Sequence, residues 1–199
     1  MSLGTDGPQV EFGGFAPWLP LPVDGDDEAF LALVRDLFRD DPAPAEVVEA
    51  SAHLLTDVAH QVAAQSDDDY LPVAAWVLLA DQGRRLEPLT LLTFGALRTP
   101  PGFTMTDVVE QMCSEVELYQ PPAITDLETA SGDAARVQLR RYTGEGPDLL
   151  ISEVVAVVWM SSTLDLAYVM STTPIDDLVL ASQVADAVVP LARTVRGLQ

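Results

Sequence analysis

The chain has 199 residues, of which 48% are hydrophobic and 21% charged, and its 31 acidic against ten basic residues give a formal net charge of −21. All ten basic residues are Arg; there is no Lys. A charge this negative repels phosphate backbones and anionic lipids, so we expect neither nucleic acid nor a membrane as partner. The hydrophobic fraction argues against global disorder and predicts a real core.

The acidic excess lies mainly in the N-terminal third, where residues 1–70 hold fifteen acids and two Arg, a net charge of −13. Solubility is one explanation for such a charge, and a basic protein partner is the other. The single cysteine, Cys113, excludes an internal disulfide framework and a multi-cysteine zinc site. The N-terminal residues lack the pattern of a signal peptide, so we expect a cytoplasmic protein.

Three prolines near the N-terminus, Pro17, Pro20 and Pro22, impose extended geometry on the backbone. We therefore expect an extended Pro-rich arm over residues 1–25. Its large apolar side chains are expected to lie on the domain's own surface: Trp18, Leu19 and Leu21.

Two amphipathic helices follow the arm. The first begins after a cap at Asp26 or Asp27 and runs to about Arg39, and the second runs from about Ala45 to Gln65. The expected buried positions are Phe30, Leu33, Val34, Leu37 and Phe38 on the first helix, and Val47, Leu54, Val58 and Val62 on the second.

From residue 70 onward the hydrophobic period changes to that of strands. Two strands, over residues 71–81 and 89–98, predict a hairpin. A helix over residues 106–117, capped by Thr104 or Thr106, comes next. Short loops then separate four further strand candidates, which favours antiparallel pairing, over residues 124–129, 134–142, 149–160 and 164–171.

The last helix has a start signal in which Thr173 is the N-cap, Pro174 the first residue and Asp176 the third. It is expected to run to about Arg196, with a kink near Pro190.

These elements predict an α+β fold, an antiparallel sheet of about six strands with helices on either side. We expect one domain over residues 26–199, with a helical part at 26–66 and the sheet, middle helix and C-terminal helix at 70–199.

One face of the second helix carries residue types that ligate metals, namely Glu49, His53, Asp57 and His60. At 100° per residue they share one face. That face lies opposite the predicted apolar stripe, where an amphipathic helix must place its polar residues in any case. Metal sites in helical bundles take inward-facing ligands from several helices. A metal site and a solvated polar face are both open, and the second is favoured.

Two arginines on one predicted strand, Arg136 and Arg140, share a face because their spacing is even. They are candidates for anchoring the anionic end of a small ligand in a pocket between sheet and helix, with Trp76 and Trp159 lining it. The alternative is a simple core for the aromatic rings and ion pairs for the arginines.

The expected partner for such pairing is Glu153. With a loop at residues 144–147, Glu153 would lie near Gln138, diagonal to both arginines. The sequence contains no catalytic triad motif and no phosphate-binding glycine loop, and without Lys a P-loop cannot form. Cys113 lies on a helical apolar stripe, which is typical of a core position. We expect no cofactor, and the sequence favours a non-enzymatic role.

The C-terminal stretch reads Leu166-Ala-Tyr-Val-Met170, then Ser171-Thr-Thr-Pro174, then a helix ending in Leu191-Ala-Arg-Thr-Val-Arg196. This strand, cap and closing helix resemble the Mog1/PsbP-like fold, as does the element order from residue 70 onward. The resemblance implies an antiparallel sheet sandwiched between helices. The N-terminal helix pair departs from the usual pattern of that fold, and we expect it to be specific to a bacterial subfamily. Members of this fold mostly act in binding or assembly without catalysis, and no binding residue carries over.

Three functions remain open at this point. The favoured one is a non-enzymatic protein-interaction or accessory module whose partner is another protein, basic in character. The second is a small-ligand-binding protein or enzyme that uses the pocket between sheet and helix. The third is an acidic homodimer, similar to chaperones of bacterial secretion systems.

Overall fold

A computed structural model describes residues 10–11, 17–114 and 116–198. The described chain is α+β, with four α-helices, seven strands and antiparallel pairing. The described residues group into two compact units. The first unit comprises residues 17–96, and the second comprises residues 97–198 with residues 10–11.

The first unit contains both predicted N-terminal helices and the first strands. Its elements are β1 (Trp18–Pro20), α1 (Asp27–Leu37), α2 (Ala45–Ala63), β2 (Tyr70–Leu79) and β3 (Pro88–Arg98), the last two residues of which belong to the second unit. The carboxylate of Asp26 caps α1 by accepting a hydrogen bond from the amide of Ala29 at 3.2 Å, as the sequence predicts. The expected helical part at 26–66 therefore packs in the same unit as β2.

The segment predicted to be an arm contains the strand that raises the count from about six to seven. Trp18 pairs with Leu78 and Pro20 with Trp76, so β1 lies antiparallel to β2. Trp18 and Leu19 are buried, as expected for side chains that pack on the domain's own surface. The rest of the predicted arm, residues 1–9 and 12–16, lies outside the described residues.

The buried faces of both N-terminal helices differ from those predicted. On α1, Leu33 and Leu37 are exposed, and only the positions four residues apart are buried: Phe30, Val34 and Phe38. On α2 the prediction was wrong for Val47 and Leu54, which are exposed. The buried stripe is Val48, Ala52, Leu55, Ala59 and Val62. Two of the five residues in that stripe are alanines, so the size of a residue's apolar side chain does not by itself identify the buried face.

The second unit contains a four-stranded antiparallel array in the order β7-β6-β5-β4. Its elements are α3 (Met105–Ser114), β4 (Ala123–Thr129), β5 (Gly132–Thr143), β6 (Leu150–Met160), β7 (Leu166–Thr172) and α4 (Leu178–Thr194). Helix α3 packs on the face that carries Ala135, Val137 and Leu139 of β5. Helix α4 contacts β6 and β4.

Both helices of the second unit have boundaries that differ from the prediction. Helix α3 ends at Ser114 rather than near residue 117, because Leu118 forms a bridge with Arg141 on β5. Helix α4 begins only at residue 178, and its N-cap is Asp177 rather than Thr173. The cause is tertiary, since Ile175 exchanges two backbone hydrogen bonds with Glu153, both of 2.9 Å, and this holds the preceding residues extended.

Among the described residues, no helix is both long enough and apolar enough to cross a membrane.

Candidate functional site

A buried carboxylate marks the β5–β6 pair. Glu153 is 2% exposed, and it is the only buried charged side chain among the described residues. Its Oε2 accepts a hydrogen bond of 2.7 Å from Nε of Arg140, and its Oε1 accepts one of 3.0 Å from Nε2 of Gln138. Both carboxylate oxygens are therefore occupied, which is what a buried charge requires.

The pairing register here differs from the predicted one by two residues. Glu153 lies directly opposite Arg140, and Gln138 is the diagonal neighbour. The reason is the connection between the strands, in which a short 3₁₀ turn over Gly146–Asp148 lengthens the loop to residues 144–149. A register shift of two residues keeps every side chain on its predicted face. Glu153 therefore still contacts the face of β5 that carries the arginines, as predicted.

The four predicted ligand-binding residues occupy different surroundings. Arg140 pairs with Glu153, which is the alternative that the sequence offered for it. Arg136 is half-buried on the same face, opposite Val157, and Trp159 is its diagonal neighbour on β6. Trp159 is buried and donates from its indole nitrogen to the hydroxyl of Thr129 at 3.0 Å. Trp76 is buried in β2 of the first unit. A ligand-binding role for these residues stays a prediction.

The predicted metal stripe on α2 is exposed along its whole length, at Glu49, His53, Asp57 and His60. Two of its members bind residues of α1. Glu49 forms a 2.6 Å ion pair with Arg35, and the hydrogen bond and charge of that guanidinium lower the pKa of Glu49. His60 lies 3.1 Å from Asp27. Within the described ranges, no group of three or more His, Cys, Asp or Glu side chains converges on a metal-sized space.

A cavity of about 340 Å³ lies between α1 and α2. Its polar side chains are already engaged within the unit, since Arg35 pairs with Glu49 and Arg39 pairs with Asp36. Asp41, at its rim, accepts hydrogen bonds from the backbone amides of residues 43 and 86. The Arg35–Glu49 pair therefore joins the two helices, and Asp41 joins their connection to the β2–β3 connection.

A groove of about 510 Å³ lies between α3 and the β4 side of the second unit. Ile124 of β4 lies opposite Val137, whose side chain belongs to the core under α3. Helix α3 packs over β5 and β6, so Ile124 at the edge is left 54% exposed. The groove is lined by Met105, Thr106, Val109, Glu110, Cys113, Ser114, Pro122 and Ile124.

Strand β4 is an edge of the sheet. It is the last strand in the order and pairs with β5 along its length. Within the part of the chain that the structure describes, no backbone hydrogen bond to its outer side is formed. The N–H and C=O groups that point outward at alternate residues can therefore accept another extended chain. The groove thus combines an open backbone edge with an apolar wall.

The two elements that form the groove are acidic, although Glu110 is the one charged residue among those that line it. Helix α3 and strand β4 carry four acids and no basic residue, namely Asp107, Glu110, Asp126 and Glu128. Asp126 and Glu128 alternate with Ile124, so all three side chains lie on one face of β4. Burial raises the pKa of the Cys113 thiol, and the charge of Glu110 raises it further.

Thr104 fixes the first turn of α3 at one end of the groove. Its hydroxyl and its backbone amide donate to the carboxylate of Asp107 at 2.6 and 2.7 Å, and these hydrogen bonds lower the pKa of Asp107. The amide of Asp107 returns a bond of 3.3 Å to the Thr104 hydroxyl. This reciprocal cap confirms Thr104 as one of the two predicted caps and places an acidic side chain in the first turn of α3, where it is favourable.

Sequence reasoning missed the groove although it predicted both of its walls. It assigned Cys113 to the core, and the structure packs this half-buried side chain against the core under α3 while it also lines the groove. A signal was present in β4, where one face reads Ile124, Asp126, Glu128 and is too acidic for a covered strand. Acidic residues at alternate positions of a short strand are typical of an edge.

Comparison with protein-family models, with curated proteins and with solved structures finds no match to this chain. The similarity to the Mog1/PsbP-like fold stays a prediction from the sequence.

Proposed function

We propose that this chain is a non-enzymatic protein-interaction module and that its partner binds at the groove between α3 and β4. The observation that supports this most directly is the open edge of β4 beside an apolar groove between two acidic elements. Strand edges with exposed backbone groups are a common means of binding extended segments of other proteins.

The chemistry of the groove favours binding over catalysis. A cysteine acts as a nucleophile through its thiolate, and the raised pKa of Cys113 keeps the thiol neutral at physiological pH. Of the two candidate arginines for a small-ligand site, Arg140 already pairs with Glu153. The second function, a small-ligand protein or enzyme, therefore has less support from these two sites than protein binding has.

The third function, an acidic homodimer, meets an electrostatic obstacle at this surface. Pairing of two β4 edges would bring together two acidic faces, each carrying Asp126 and Glu128, on chains of net charge −21. Like charges directly opposite each other destabilise strand pairing. A partner that carries positive charge fits the groove better than a second copy does.

Affinity capture with three forms of the protein tests the proposal. The first is wild type, the second is Ile124→Lys, and the third is Leu164→Lys, a matched control of similar exposure (50% against 54%) in the β6–β7 loop of the same unit. We expect a partner from a lysate of the source organism to be retained by wild type and by the control, and to be lost with Ile124→Lys. Circular dichroism must show that all three forms are folded.

Two results would contradict the proposal. Retention of the same stoichiometric partner by Ile124→Lys would place binding elsewhere on the chain. Turnover of a small molecule by the wild-type protein, abolished by substitution of Arg136 or Arg140, would favour the second function.

A further inference from the structure

We infer that the occupant of the α3–β4 groove is an extended segment of another protein, in which one bulky apolar side chain is flanked at alternate positions by Lys or Arg. The segment joins the sheet as an additional strand beside β4. This inference rests on the proposed function and specifies the chemistry of the partner.

The backbone of β4 determines that the occupant is extended. Seven residues, Ala123–Thr129, form a regular strand with one edge paired to β5. An added strand can satisfy the outward N–H and C=O groups at every second residue, and its own side chains then alternate between the two faces of the sheet. Half of those side chains point towards the α3 side, where the groove lies.

The side chains on that face determine the residue types. Next to Ile124 the wall is apolar, formed by Met105, Val109 and the half-buried Cys113, and it suits one large aliphatic group. Two and four residues further along β4, Asp126 and Glu128 are exposed on the same face. Cross-strand neighbours of opposite charge stabilise pairing, so Lys or Arg is expected at the positions beside them.

Charge complementarity favours an extended basic segment over the alternatives, which are an acidic segment, a second copy of this chain and an amphipathic helix. Helix α3 and strand β4 together hold four acids without a basic residue, so an acidic segment or a second copy of this chain is repelled. An amphipathic helix could cover the apolar wall but would leave the outward backbone groups of β4 without partners. An extended basic segment satisfies the edge, the wall and the charges together.

A palindromic nine-residue peptide tests the inference without knowledge of the strand direction. The probe is fluorescein-labelled Lys-Thr-Lys-Thr-Leu-Thr-Lys-Thr-Lys, which places Leu and four Lys on one face and Thr on the other. Binding to the full chain is measured by fluorescence anisotropy at low and high salt. Amide shifts of β4 and α3 in ¹⁵N-correlated NMR spectra locate the site.

Three comparisons make the result specific. The same peptide with Glu in place of Lys tests charge. Two further peptides carry N-methyl groups either on every Thr or on Leu and every Lys. Only one of these two sets of amides can point towards β4, so one peptide is expected to lose binding and the other to keep it. Ile124→Lys and the control Leu164→Lys test the apolar contact.

We expect the Lys peptide to bind with shifts confined to β4 and α3, and the Glu peptide not to bind. Ile124→Lys is expected to weaken binding roughly tenfold, because it removes apolar burial and repels the probe. Raising the salt concentration from low to above physiological is expected to weaken binding of the Lys peptide several-fold, since salt screens exposed charges.

Several results would overturn the inference. These are equal binding of the Lys and Glu peptides, equal loss or retention with both N-methylated peptides, shifts outside α3 and β4, or no binding at all. Light scattering that shows a dimer dissociated by Ile124→Lys would identify a second copy as the occupant instead. The Lys peptide could fail to bind although the Ile124→Lys variant no longer captures the partner that wild type retains. In that case the inference is wrong and the proposed function stands. If capture is also insensitive to Ile124→Lys, both fall.

Discussion

Replacement of Arg140 by Met tests the role of the buried ion pair. The substitution keeps most of the aliphatic length but removes the guanidinium whose Nε donates to Glu153 at 2.7 Å. Glu153, 2% exposed, would then keep one side-chain partner, Gln138. Removing one partner of a fully buried pair costs about 3–5 kcal/mol. The Arg140 side chain is 40% exposed, so water can replace part of the lost contact, and we expect a loss of about 2 kcal/mol.

Urea unfolding followed by circular dichroism measures this loss, and two comparisons identify its cause. Arg141→Met is the matched control on the same strand, because the Arg141 side chain donates to the neutral hydroxyl of Ser152, at 3.3 Å. It is expected to cost under about 1 kcal/mol. The Glu153→Gln variant has no carboxylate at this buried position. In that background Arg140→Met is expected to lower the free energy of unfolding by at least about 1 kcal/mol less than it does in wild type. Equal costs of Arg140→Met in the two backgrounds would refute the reasoning.

Three further predictions concern other parts of the chain. Asp177→Ala is expected to lower the free energy of unfolding by about 1 kcal/mol, because the carboxylate accepts hydrogen bonds from two amides at the start of α4. Asp176→Ala is expected to change it by no more than about 0.5 kcal/mol. Thermal unfolding measures both variants, and a larger loss with Asp176→Ala than with Asp177→Ala would contradict the observed cap. Gly95→Ala is expected to lower the free energy of unfolding by about 1–3 kcal/mol, because a Cβ at residue 95 would overlap the ring of Tyr70. A second substitution, Tyr70→Leu, should reduce that loss. An alanine variant as stable as wild type would disprove the close packing. Cys113 is expected to react with iodoacetamide at pH 7.5 more slowly than a free thiol, because its raised pKa lowers the thiolate fraction. A rate equal to that of the free thiol would contradict this prediction.

Much of the local structure follows from sequence signals that act over a few residues. The antiparallel strand run and the face shared by Arg136 and Arg140 were predicted and are present, and the cap is Asp26, one of the two predicted candidates. Each depends on a local signal: a hydrogen bond within one helical turn, short loops between consecutive strands, or the two-residue period of a strand. The errors arose where a distant residue competes. Ile175 is held extended by Glu153, and this moved the start of α4 past the predicted cap.

The candidate site shows the same division between local and tertiary information. The sequence by itself determined that Met105 and Val109 share a helical face, that Ile124, Asp126 and Glu128 share a strand face, and that both segments lack basic residues. Only the tertiary structure decided that β4 stands at an edge and that α3 packs over β5 and β6, so that these two faces border one groove. The physical reason is that periodicity determines which side chains point together, whereas strand order depends on pairing and packing between residues far apart in the chain.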